Sequence, residues 1–120
     1  MLLYSQADSL VFLGGELAYA QGNYVDALKY FNDLLERDQS KASFFKARGL
    51  TYYQTRIYKQ AGYDLSMSLD LDPDDPEVNY YKGLTENALG DTYKACYYMQ
   101  RALRDDYLPA KEYLDKHCTK

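Results

Sequence analysis

The sequence contains no tryptophan, one histidine, two cysteines and three prolines, and each scarcity narrows what the chain can do. Its single histidine, His117, lies beside the C-terminus, so the commonest general acid–base side chain is missing from the body of the protein. Cys96 and Cys118 are too few for a disulfide framework and lack a Cys-x-x-Cys spacing. A basic excess is also absent: net charge is −4 and the isoelectric point is near 4.9. The electrostatic term behind most nucleic-acid binding is therefore missing, and anionic membranes are disfavoured for the same reason. No apolar run approaches the roughly 18 residues needed to span a bilayer, and the opening MLLYSQADSL lacks the basic and apolar regions of a secretory leader. Compartment is weakly constrained, with the cytoplasm slightly favoured and the periplasm open if the chain is a fragment.

What is present reads as one folded domain over 1–120. Hydrophobic residues make up 47% and charged residues 27% of 120, close to ordinary globular usage. Aromatic content is concentrated in 15 tyrosines and 4 phenylalanines. Tyrosine pairs an apolar ring with a polar tip, so it serves a core or a wet binding surface equally well.

Shifting the chain by 34 aligns Gly15, Gly49 and Gly83; Ala27, Ala61 and Ala95; Leu35, Leu69 and Leu103; and Asp38, Asp72 and Asp106. At a usage of roughly 7% for one residue type, a threefold match in a column arises by chance about half a percent of the time. Four such columns mark an internal repeat. Phe31, Leu65 and Met99 keep apolar character in one further column, as a common packing position would.

Within each copy the pattern is helix, turn, helix and longer turn. Copy one predicts helices near 8–21 and 24–37 around Gly22-Asn23; copy two, near 42–55 and 58–71; copy three, over 76–89 and 92–105 around Gly90-Asp91. Pro76 suits a first helical position. The preceding Leu71-Asp-Pro-Asp-Asp-Pro76 ends a helix because proline cannot continue one. A seventh helix over about 109–118 carries Lys111, Glu112, Asp115 and Lys116 and would cap the array with a polar side. A mid-helix glycine costs about 1 kcal/mol against alanine, so the glycine column marks places where two helices approach too closely for a Cβ.

These features resemble the tetratricopeptide family, whose repeat is 34 residues with a Trp-x2-Leu-Gly-x2-Tyr, Ala-x3-Phe, Pro pattern. Copy two matches best, with Phe45, Gly49, Tyr52, Tyr58, Ala61, Leu65 and Pro73 at the signature positions. Copy one has Val11, Gly15, Tyr24, Ala27 and Phe31, but Ala18 and Gln39 replace a tyrosine and the proline. In copy three Asn79, Lys82 and Glu86 stand where apolar residues are usual, which suggests a first helix rotated to bring Tyr80 and Tyr81 into the contact. The resemblance implies an all-α, right-handed superhelix of three helix hairpins (about 8–41, 42–75 and 76–109) plus the capping helix. In that family the first helices line a concave groove that receives an extended peptide or a partner's helix.

The family's groove positions fall here on Phe12, Glu16, Tyr19, Lys46, Leu50, Tyr53, Tyr80, Leu84 and Asn87, among others. The sharper reading is an aromatic ladder built on Phe12, Tyr19, Tyr53, Tyr80 and Leu84 that takes apolar side chains of a partner. The alternative is that these side chains simply pack hairpin on hairpin. One subclass of the family holds chaperone C-terminal carboxylates with a basic and asparagine clamp. Its positions are occupied here by Phe12, Glu16, Ala47, Glu77 and Tyr81. With no cation and two acids they would repel that ligand.

His117 and Cys118 diverge by about 100° on a helix and find no further ligands, so neither a metal ion nor any cofactor is implied. A Cys96–Cys118 bridge stays open, since the seventh helix should pack beside the second helix of copy three. The acidic run at 72–77 lacks calcium-loop spacing and reads as a solvated turn with capping carboxylates. The expected function is a non-catalytic protein-interaction module, in a longer bacterial chain or a small adaptor, for a partner of apolar or mixed character. The alternative is a structural spacer or self-association module.

Overall fold

The computed structural model describes residues 4–119, with side chains from residue 6 onward; residues 1–3 and 120, which the expected span 1–120 includes, lie outside the described residues. The chain forms α1 (Tyr4–Ala20), α2 (Tyr24–Arg37), α3 (Ala42–Gln54), α4 (Tyr58–Leu71), α5 (Pro76–Ala88), α6 (Thr92–Arg104) and α7 (Pro109–His117). Helix α1 begins earlier than periodicity suggests because no glycine or proline between Tyr4 and Asp8 stops it. The other helices begin where the sequence places them and end there or one residue short, within ordinary fraying.

The hairpin turns share one mechanism. Gly22 and Gly90 adopt left-handed backbone (φ 76° and 92°), and Arg56 does so between them (φ 64°). In each turn that residue's N–H donates three residues back, to Tyr19, Tyr53 or Asn87. The next N–H donates five back, to Ala18, Tyr52 or Glu86. This is the double bond pattern that satisfies the last carbonyls of a helix. Asn23 and Asp91 then cap the following helix with their side chains, whereas Ile57 offers none. The middle turn is thus the weakest by local chemistry, because a residue with a Cβ holds the left-handed position.

Helices pair as α1 with α2, α3 with α4 and α5 with α6. The hairpins stack in chain order through α2 against α3 and α4 against α5, and α7 lies on α6. The particle is elongated, 58 × 24 × 20 Å. At the heart of each hairpin a glycine faces a bulky side chain. A Cβ on Gly15 would overlap the Phe31 ring, one on Gly49 would lie 3.0 Å from Leu65, and one on Gly83 would lie 2.9 Å from Met99 and 3.1 Å from the Ala95 carbonyl. Phe31, Leu65, Met99 and the alanines 27, 61 and 95 are fully buried, so the close approach is filled, not hollow.

The third hairpin departs from expectation. Helix α5 is not rotated: Gly83 meets Met99 as Gly15 meets Phe31 and Gly49 meets Leu65, and Asn79, Lys82 and Glu86 are themselves buried. Each finds a partner. The Lys82 ammonium is 2.6 Å from Glu86 and donates to the Gly62 carbonyl at 3.4 Å, and the Asn79 amide donates to the Pro73 and Asp75 carbonyls. An i,i+4 ion pair and a glycine opposite it make a charged pair tolerable where an apolar residue is usual. At the C-terminal end a disulfide joins Cys96 on α6 to Cys118 just past α7, with the Cα atoms 5.8 Å apart.

Two outcomes follow for stability. Gly15→Ala should lower stability by about 1–3 kcal/mol through overpacking. Gly62→Ala, whose Cβ would meet nothing nearer than 3.6 Å, should be neutral or gain up to about 1 kcal/mol of helix propensity; thermal denaturation of the pair tests the contrast. Because the bridge closes a separation of 22 residues, Cys118→Ser should cost about 3 kcal/mol. In denaturant titrations, reductant should destabilise the parent chain and leave that variant unchanged.

Candidate functional site

The first helices α1, α3 and α5 lie beside one another and leave one row of side chains uncovered by their hairpin partners. Its most continuous feature is a chain of tyrosine rings. Tyr58 at the start of α4 meets Tyr53 at 5.7 Å between centroids, Tyr53 meets Tyr81 at 5.2 Å, Tyr81 meets Tyr80 at 5.3 Å, and Tyr80 meets Tyr107 at 5.1 Å. The rings sit edge-on or tilted, the arrangement aromatic quadrupoles favour. All five are half-buried: the apolar bodies support one another and part of each ring stays accessible. Tyr19 extends the surface toward α1, resting on Tyr24 at 5.5 Å while its hydroxyl accepts a bond from Gln54 at 3.1 Å.

Beside Tyr19, a cavity of about 160 Å³ is lined by Glu16, Tyr19, Phe31, Ala47 and Leu50. Here the structure brings together three of the nine residues expected to form the groove, namely Glu16, Tyr19 and Leu50. Tyr53 and Tyr80 are joined by Tyr81 into the ring chain. Phe12 spends much of its surface on packing, with Phe44 at 5.5 Å and Phe31 at 5.8 Å, and Leu84 does the same against the α5–α6–α7 core. Asn87 is exposed near the end of α5.

Lys46 reaches from α3 to the start of α5, where its ammonium lies 3.0 Å from Asp75 and 2.9 Å from Glu77. Burial works to lower its pKa, but the hydrogen bonds it donates to these two carboxylates outweigh it and hold the ammonium above the ordinary lysine range. Asp75 also accepts from the Glu77 and Val78 N–H groups as the cap of α5. The cation at this end of the row is therefore already engaged by two carboxylates, and Glu16 adds a third acid with no basic partner in its cavity lining.

Burial, reinforced by neighbouring phenols and Glu77, pushes the Tyr81 hydroxyl up to about 12. Burial also raises Tyr19, Tyr53 and Tyr107. These four phenols are neutral, hydroxyl-bearing groups across the physiological range. Tyr107 was not foreseen as part of this row. It sits in the repeat column of Gln39 and Pro73, so the signal for it is an aromatic side chain where a turn proline is usual. Among the described residues no cluster of three or more side chains has the make-up of a metal site, and no helix is long and apolar enough to cross a membrane. The sulfur of Cys118 is bridged to Cys96, and the His117 ring lies tilted against Tyr113 with centroids 4.4 Å apart.

Solved structures place this architecture. The chain has the tetratricopeptide-repeat fold. It superposes on the first TPR of Spaghetti (RPAP3) bound to the HSP90 peptide SRMEEVD with a TM-score of 0.88 at 19% identity, covering 95% of this chain and 92% of that one. PcrH in complex with the chaperone binding region of PopD gives 0.80 at 25% identity, with 85% and 78% covered. MamA gives 0.82 at 16% identity over 86% of this chain, which spans 61% of MamA's length. No family model matches the sequence, and no curated protein does.

The raised tyrosines set an alkaline limit. Their neutral forms are favoured in the fold, so the stability they contribute is complete below the unfolded value of 10.0 and is lost as pH rises toward about 12, where Tyr81 ionises. Lys46, also raised, loses its ion pairs in the same direction. Phenolate absorbance followed against circular dichroism should show part of the tyrosine population ionising only together with unfolding, between pH 10 and about 12.

Proposed function

We propose that the chain is a non-catalytic interaction module, a single domain of three repeats and a capping helix, that holds an apolar or mixed peptide or a partner's helix on the tyrosine-lined row. The carrying observation is the unbroken sequence of half-exposed rings from Tyr58 to Tyr107. Tyr80 and Tyr107 also pack on one side against the α6–α7 core, as Leu84 does, but every ring of the series is left only half-buried. Tyrosine supplies large, rigid contact area at low entropic cost, which is why it recurs among the residues that dominate interfaces. The candidate contacts are Tyr19, Tyr53, Tyr80, Leu50 and Glu16, joined by Tyr81 and Tyr107.

RPAP3's first TPR and PcrH, which share this fold, hold a peptide and a chaperone binding region respectively, and that supports a peptide-holding role here. The ligand chemistry differs from an acidic tail. An SRMEEVD-type peptide would meet Glu16, Asp75 and Glu77, with Lys46 already engaged by the last two. A carboxylate ligand loses its partner under those conditions and gains like charges.

Selection of a displayed peptide library on the immobilised chain should enrich apolar and aromatic residues, and the SRMEEVD peptide should bind at least tenfold more weakly than the selected sequences. Tyr53→Ala with Tyr80→Ala should weaken the selected peptides by at least tenfold, about 1.4 kcal/mol. Unchanged affinity in a folded double variant, or preferential capture of SRMEEVD, contradicts the reading.

A further inference from the structure

A different face of α1 carries a second surface. Leu10, Leu13 and Leu17 are 64%, 51% and 54% exposed and lie on one stripe, since steps of three and four return to the same side of a helix. Isolated exposed leucines are unremarkable, but these occupy particular columns of the repeat. Leu10 corresponds to Phe44 and Val78, and Leu17 to Thr51 and Thr85, all four of them buried; Leu13 corresponds to the half-buried Ala47 and Tyr81. In repeats two and three these positions receive the second helix of the preceding hairpin, as Thr85 does against Gly62 of α4. The stripe on α1 is therefore built as an interior stacking face, and at Leu17 it is more apolar than its interior counterparts.

The other end of the array is finished differently. Helix α7 turns Lys111, Glu112, Asp115 and Lys116 outward and closes them into i,i+4 ion pairs of 3.0 and 3.2 Å. Among the described residues the stripe has no such polar cover.

We infer that the α1 stripe is a self-association face, occupied by α1 of a second copy of this chain crossing it antiparallel about a two-fold axis. The spacing is its own complement. Centred between Leu13 and Gly14, an antiparallel pairing sets Leu10 against Leu17 of the other copy and Leu13 against the Tyr30 ring that lies over the other copy's Gly14. Charge permits it: α1 carries only Asp8 and Glu16, Asp8 is buried and 2.8 Å from Arg37, and Glu16 belongs to the groove cavity. The α1 stripe itself sets no like charges against each other, and the net −4 of each copy acts over distances that physiological salt screens. Tyr30, 41% exposed and close to Gly14, widens the apolar contact at its centre. A single helix crossing belongs to the small class of interfaces, below about 1,200 Å² in total, so the association is weak, on the order of micromolar or looser.

Sedimentation equilibrium of the full chain, from about 5 to 500 μM, should show the mass rising from 13.9 kDa toward twice that value. Leu13→Glu sets two acids near the axis and should weaken association more than tenfold while leaving the melting temperature unchanged, because Leu13 is exposed. Leu13→Cys should form an intermolecular disulfide on mild oxidation, and Tyr93→Cys, a far more exposed position on α6, should not. A constant monomer mass over the whole range, association that persists in Leu13→Glu, or equal cross-linking at both positions overturns the inference. Tyr53→Ala with Tyr80→Ala should leave the mass profile untouched, so failure of the groove reading and failure of this one are separable.

Discussion

The structure depends on one constraint: within each hairpin two helices come so close that one of them can carry no Cβ at the crossing. Gly15 under Phe31, Gly49 under Leu65 and Gly83 under Met99 are three instances of a single contact. The buried alanines at 27, 61 and 95 keep the second helix equally slim one turn earlier. Glycine in a helix interior weakens that helix by about 1 kcal/mol. It persists because a full apolar side chain is then buried against backbone with no void. The crossing in turn fixes which side of α1, α3 and α5 is covered and which is left as the tyrosine row.

Charge enforces the same geometry. Arg48 of α3 forms two bonds to Asp64 of α4, at 2.8 and 2.9 Å, and a third to Asn32 of α2 at 3.0 Å, so one guanidinium ties two hairpins together. Burial holds Asp64 above the ordinary carboxylate range even against this arginine. Such a pair adds little net stability, since desolvation offsets attraction. An error in stacking register, however, would leave a charge buried without its partner. Arg48 and Lys82 share a repeat column, and the two solutions differ: one pairs across helices, the other along its own helix beside Gly62.

The columns that carry this fold were legible in the sequence because packing at a fixed period leaves identity behind. Helix positions followed within a residue for six of the seven helices. Copy three was harder to read. Asn79, Lys82 and Glu86 suggest a rotated helix if residues are judged by polarity alone. What accommodates them is that the Asn79 amide nitrogen and the Lys82 ammonium find acceptors at Pro73, Asp75 and Gly62, in other elements or turns. The middle turn was hidden for a related reason: Arg56 holds a conformation that glycine announces at 22 and 90. Of the row, Tyr53 on α3 and Tyr80 on α5 were indicated by the family's repeat positions, which the resemblance carries onto them. Tyr107 was not, because it comes from the turn before α7, whose path depends on how that helix docks on α6.

The make-up of the row also bears on how a ligand would be held. A clamp of lysines and arginines draws its strength from charge and weakens as salt is added. Here Lys46 is bound by Asp75 and Glu77, and the Tyr81 phenol in the ring series stays neutral until strongly alkaline pH. Affinity on such a surface comes from ring area removed from water and from hydroxyls that can donate or accept. It is then nearly indifferent to ionic strength and tolerant of sequence, since many apolar side chains can rest against a tyrosine face. On the proposed reading, selectivity would come from the acids at the rim, Glu16 and Glu77, which would repel acidic ligands from an otherwise permissive surface.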